Sequence, residues 1–139
     1  MDVDTNSRVL YLVMMILFII FYTGSGKDKS VSLLKLHLLL WAIKSIDRQQ
    51  KLLDSLQVDC SSPIGFWNID IKNNAILTIL LKDKLCEFNG AKYYLTEDGT
   101  TLIKNISKMD MFNVEQNFLK QIGKKLTDEK VKKLQNLWS

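Results

Sequence analysis

The sequence predicts a mainly α-helical protein with one short β-hairpin, organised as a winged-helix-like domain extended by helices at its N- and C-terminal ends. Three observations carry that prediction. Two nearly unbroken apolar runs of helical length lie in the first third of the chain, an Asn-Gly pair separates two short strand-like segments, and Ser, Thr and Asn residues stand where helices would need caps. At 139 residues the chain fits one domain, because single domains commonly run to about 100–150 residues. Within it, residues 1–60 read as an apolar helical part, 61–108 as the winged-helix-like part and 109–139 as a C-terminal helical tail.

The first run, residues 9–22, is fourteen apolar or aromatic residues between Arg8 and the flexible Thr23-Gly24-Ser25-Gly26. A membrane-spanning helix needs about 20, and a signal peptide needs a basic leader where residues 1–7 carry Asp2 and Asp4. The expectation is a buried helix capped near Asn6 or Ser7, with a small membrane-anchored protein as an alternative. A turn over residues 23–29 precedes Ser30 and Ser32, either of which can cap a second helix, Leu33 to Ile43, that is also apolar nearly all round.

A helix without a polar face must be enclosed on all sides. Each large apolar side chain left in water forgoes about 1.5–3 kcal/mol, and two such helices exceed what one small core is expected to enclose. The sequence therefore predicts a permanent partner, another copy or a different subunit, seated on Leu12, Met15, Ile19, Leu36, Leu39 and Trp41.

Residues 46–56 form a more ordinary amphipathic helix, Ile46, Leu52, Leu53 and Leu56 against Asp47, Arg48, Lys51 and Asp54. The segment Cys60-Ser61-Ser62-Pro63-Ile64-Gly65 breaks it, and Asn68 or Asp70 starts the next helix, with Ala75, Ile76, Leu77, Ile79, Leu80, Leu81 and Leu85 as the expected buried side. Asn89-Gly90 predicts a two-residue type I′ hairpin turn that sets Glu87 opposite Lys92. Thr96 caps a helix through Gly99, Leu102, Ile103 and Ile106. Asn113 and Thr127 cap two more, with Phe118, Leu119 and Ile122 facing inward on one and Val131, Leu134, Leu137 and Trp138 on the other.

Apolar residues make up 47% of the chain and charged residues 24%, which suits a packed globular protein. The net charge of +4 is spread as −1 over residues 1–22, +2 over 23–60, 0 over 61–110 and +3 over 111–139. Cys60 and Cys86 cannot build a disulfide framework or a four-cysteine zinc site, and His37 is the only histidine. A multi-histidine metal site is excluded within this chain, and no triad is expected around this one histidine. Buried thiols point to a reducing compartment, and the expected location is cytoplasmic. His37 is expected to be a satisfied or half-buried side chain of its apolar helix. Gly24-Ser25-Gly26-Lys27 lacks P-loop spacing and follows a helix where a P-loop follows a strand. Asp47, Asp54, Asp59 and Asp70 are isolated carboxylates. No catalytic, cofactor-binding or metal-ligating residue emerges, and the protein is expected not to be an enzyme.

Candidate nucleic-acid contacts are Lys72, Lys82, Lys84, Lys92, Lys124, Lys125, Lys132 and Lys133. The helix in the recognition position also carries Asp70 and Asp83 and no arginine, and Glu87 opposes Lys92 on the wing, so the DNA signal is weak. A winged-helix transcriptional regulator or antitoxin stands as the alternative reading.

With these elements in place, the chain resembles the small middle components of bacterial ABC three-component antiviral systems, including the small subunit of Lamassu-type defence. The similarity rests on Asn6-Ser7-Arg8 leading into an apolar helix, the Ser32-Leu33-Leu34-Lys35-Leu36 helix opening and the Ser62-Pro63 break. The Tyr93-Tyr94-Leu95-Thr96-Glu97-Asp98-Gly99 wing-to-helix step and the tail ending at Trp138 add to it. The resemblance implies an accessory subunit that joins an SMC- or Rad50-like ATPase to an effector such as a nuclease, with no catalytic residues of its own.

Overall fold

A computed structural model describes residues 3–65, 67 and 70–137. Asn68, a candidate helix start, and Trp138, the expected end of the last apolar stripe, lie outside the described residues. The elements run α1 (Val3–Thr23), β1 (Val31–Ser32), α2 (Leu33–Ile43), α3 (Ile46–Gln57), α4 (Lys72–Lys82), β2 (Cys86–Phe88), β3 (Lys92–Leu95), α5 (Glu97–Ser107), α6 (Asn113–Ile122) and α7 (Asp128–Asn136). The described chain is thus mainly helical, with seven helices and a small three-stranded antiparallel sheet in the order β1-β3-β2.

α1 is the axis of the fold. It packs against α2, α4, α5, α6 and β3, so its apolar residues find neighbours on every side. Met15, Ile16, Leu17, Phe18 and Ile19 are fully buried, as are Leu36, Leu38 and Leu39 of α2, which lies between α1, α3 and α7. This corrects the expected interface: Met15, Ile19, Leu36 and Leu39 belong to the chain's own core. The apolar surplus estimated from the two runs does not exist, because helices drawn from the rest of the sequence, down to α7, wrap them. Of the six residues, only Leu12 and Trp41 are half-buried. Trp41 is roofed by the Arg48 guanidinium 4.8 Å above its ring, and Arg48 Nη1 donates to the Trp41 carbonyl at 3.2 Å.

α1 also starts earlier than expected, so Asn6 and Ser7 sit inside the helix and do not cap it. Elsewhere the capping logic holds. Ser32 accepts from the Lys35 backbone N–H, Ser45 from Arg48, Thr96 from Gly99 and Thr127 from Lys130. Asn113 is the first residue of α6 rather than its cap; the cap position belongs to Phe112, held at φ 55° while its ring packs edge-on against Tyr11 and Phe18 of α1.

The hairpin turn sits one residue further along the chain than expected, which moves the strand pairing by two residues. Asn89 pairs with Lys92, its N–H donating to the Lys92 carbonyl at 3.0 Å, and its side-chain oxygen accepts from the Ala91 and Lys92 N–H groups. The loop is therefore Gly90-Ala91, with positive φ at Gly90, the pattern of a turn needing glycine only at its first central position. Glu87 consequently faces Tyr94, whose hydroxyl donates to it, and not Lys92. The shift frees Lys92 to pair with Asp128 at 2.9 Å, where Asp128 also accepts from the Ser32 hydroxyl at 2.7 Å. α7 is thereby tied to the sheet.

β1 adds a third strand that the periodicity did not reveal: Val31 and Ser32 pair with Tyr93 and Lys92. A two-residue strand is too short to show an alternating pattern.

Candidate partner-docking surface

Three side chains of α4 expected in the core turn out to face solvent or to be half-covered. Ile76, Leu77 and Leu80 are buried, but Ala75 and Ile79 are exposed and Leu81 is half-buried. α4 packs on α1 along one side only, and 3.6 residues per turn cannot bring all six positions to that side. Ile71 (78% exposed), Ala75 and Ile79 (40% exposed) recur every four residues and form one apolar stripe about 12 Å long on the outer surface. Lys72 and Lys82 stand at its two ends, with Asn74 and Thr78 beside it.

At the N-terminal end of the stripe lies a cavity of about 490 Å³ lined by Ser7, Arg8, Tyr11 and Leu12 of α1, Lys44 after α2, and Asp70, Lys72 and Asn73. α4 begins there because the Asp70 carboxylate accepts the Lys72 N–H at 3.0 Å, closing a turn that launches the helix. Tyr11 reaches across to α6, its hydroxyl donating to Glu115 at 3.1 Å; burial first, and the Glu115 charge second, push its pKa well above the ordinary tyrosine range.

The candidate nucleic-acid residues do not converge. Lys72 and Lys82 are at opposite ends of α4, and Lys84 follows it in a left-handed conformation at φ 59°. Lys92 is engaged by Asp128, and Lys133 donates to the Asp59 carbonyl at 2.9 Å. Lys124, Lys125 and Lys132 are exposed around the last two helices. Among the described residues, no group of three or more His, Cys, Asp or Glu side chains could hold a metal ion.

Three buried polar groups show how the core treats charge. The Lys35 ammonium, 3% exposed, donates to the Thr23 carbonyl at 2.8 Å; burial pushes its pKa down to about 8, against the pull of Asp128. Cys86 is raised to about 11, mainly by burial with Glu87 adding to it, and burial also raises Cys60, so both free thiols are unreactive at neutral pH.

His37 is 1% exposed, and neither ring nitrogen makes a hydrogen bond of good geometry among the described residues, although the Asn74 side chain approaches the ring, contrary to the expectation of a satisfied or half-buried side chain. Burial lowers its pKa, with Asn74 and Asp70 opposing. The unfolded imidazole titrates near about 6.5, so acidification protonates the unfolded chain first and pulls the equilibrium towards it. The melting temperature is expected to fall as the pH drops from about 6.5 to 5, above the range where carboxylates dominate. His37→Leu should flatten that fall and raise stability at pH 7 by removing two unsatisfied atoms. Parallel melting curves for the two proteins would refute the assignment.

Compared with protein-family models, curated proteins and solved structures, the chain matches none. No helix among the described residues is long and apolar enough to cross a membrane.

Proposed function

We propose that this protein is a non-catalytic adaptor subunit of a multi-protein antiviral defence complex, joining an SMC- or Rad50-like ATPase to an effector such as a nuclease. The element order supports a winged-helix reading of its centre: a lone strand ahead of the helices, a hairpin after them, and the lone strand paired to the second hairpin strand. On that reading α4 occupies the recognition-helix position and residues 89–92 the wing.

The observation that carries the adaptor reading is the chemistry of α4's outer face. A helix that reads DNA offers Arg, Lys, Asn or Gln to base edges and phosphates; the stripe here is Ile71, Ala75 and Ile79, with Asn74 and Thr78 beside it and lysines only at the ends. Solvent-facing apolar stripes of this kind mark protein contacts. The partner surface thus moves from the first two helices, where the sequence put it, to α4.

The test is co-purification of the full chain with the products of the genes beside it. A long coiled-coil ATPase should be retained by the native chain and lost at least about tenfold by Ile79→Lys, which places a charge in a buried contact. Equal retention by the variant, or the absence of such an ATPase, removes the proposal. Nanomolar binding of duplex DNA by the isolated chain, with a steep salt dependence, would favour the regulator reading instead.

A further inference from the structure

We infer that the cavity at the N-terminal end of α4 receives an acidic side chain from an apolar segment of the partner. The inference rests on the docking role of α4 and names the chemistry of what docks.

Three cations line this one cavity, Arg8, Lys44 and Lys72, and none of their side chains makes an ion pair or hydrogen bond among the described residues. The one carboxylate there, Asp70, points back at its own chain, held by the Lys72 N–H. Unpaired like charges brought together repel, and an incoming carboxylate relieves them.

The cavity also contains an amide without a use in the fold. Asn73 is 4% exposed and lines the cavity, yet its side chain makes no hydrogen bond among the described residues. Its amide atoms are not among the fully buried unpaired ones, so they open to the solvent of the cavity. A carboxylate entering between the three cations meets that NH₂ group as a donor.

The rim tells a partner segment from a free anion. Ile71 (78% exposed), between the lining residues Asp70 and Lys72, and Ile46 (70% exposed), two residues after the lining Lys44, both project into water. A free anion would leave them wet, whereas an acidic residue with apolar neighbours covers them while its carboxylate enters. The volume is in the range of about 300–1,000 Å³ in which small-molecule-sized groups are held, so it takes a side chain together with part of the segment that carries it. Ile71 belongs to both rim and stripe, so a segment lying along α4 runs into the cavity.

The experiment selects a displayed library of random dodecapeptides on the full-length chain, then measures the selected peptides by fluorescence anisotropy. The expected winners carry Asp or Glu flanked by apolar residues. Lys44→Glu, Lys72→Glu and Asn73→Leu should each weaken them by about tenfold or more, while Lys132→Glu on α7 leaves them unchanged and all variants keep the native melting temperature. No selection, selection without acidic residues, or equal binding by the charge reversals overturns the inference. Pyrophosphate binding as tightly as the peptides would assign the cavity to a free anion. A dimer seen by light scattering and abolished by Lys72→Glu would make a second copy the occupant. Either result also overturns the inference.

The Ile79→Lys variant separates the two readings. If it alone releases the peptides, the stripe docks and the cavity does not. If only the charge reversals do, the cavity stands and the stripe reading falls.

Discussion

Replacing Met15 or Leu36 by alanine is expected to lower the stability of the isolated chain by about 2–5 kcal/mol, the cost of emptying a well-packed site. Both side chains are fully enclosed by the same copy of the chain, so the loss should not depend on protein concentration. Against a typical total of about 5–15 kcal/mol, either substitution approaches the limit of what the fold tolerates. Leu12→Ala and Trp41→Ala, at half-buried positions, should cost less. Urea unfolding at two concentrations a hundredfold apart decides the matter. Full stability of the variants, with loss of an oligomer instead, would restore the interface that the apolar runs suggested.

Gly99→Ala is expected to be nearly as damaging for a different reason. An added Cβ would lie 1.9 Å from the Leu85 carbonyl oxygen, where the start of α5 crosses the entry to the hairpin. The same carbonyl accepts the Thr96 N–H at 3.1 Å, so the clash is between two backbones that a hydrogen bond already holds together. No side chain can swing away. Overpacking costs about 1–3 kcal/mol and occasionally more, which outweighs the ~1 kcal/mol that alanine gains over glycine inside a helix. Thermal unfolding should show a fall of several degrees at least. A variant as stable as the native protein would mean that α5 can slide away from Leu85 at no cost.

Both predictions bear on how the chain can act. With α1 and α2 spent on the core, a partner would have only outer surfaces to hold, and the proposed docking surface is that of α4 and the adjoining cavity. The contact there would be of ordinary adaptor type, made by a protein folded beforehand, rather than the shared core of an obligate pair.

Much was legible in local sequence because its causes are local. Ser32, Thr96 and Thr127 cap helices because a hydroxyl reaches an N–H three residues on, and the Asn-Gly pair marks a tight turn, although the loop residues prove to be Gly90-Ala91. The inward face of α6 follows from 3.6-residue periodicity, and so do Val131 and Leu134 of α7, whereas Leu137, expected on the same stripe, is exposed because α7 ends there.

What the tertiary structure alone decided depends on which surfaces meet. An apolar run states that it must be covered, but not by what: α1 is covered by four helices and a strand of the same chain, and no count of leucines distinguishes that from a second subunit. The shifted hairpin is held by the Asn89 side chain, which accepts from the Ala91 and Lys92 N–H groups, and by the pairing of Lys92 with Asp128, 36 residues further on and outside any two-strand pattern. Ala75 and Ile79 read as core because they are apolar, and only the angle at which α4 meets α1 turns them outward. Periodicity names the faces of a helix; packing chooses the face left to water, and the docking surface proposed for this protein is that choice.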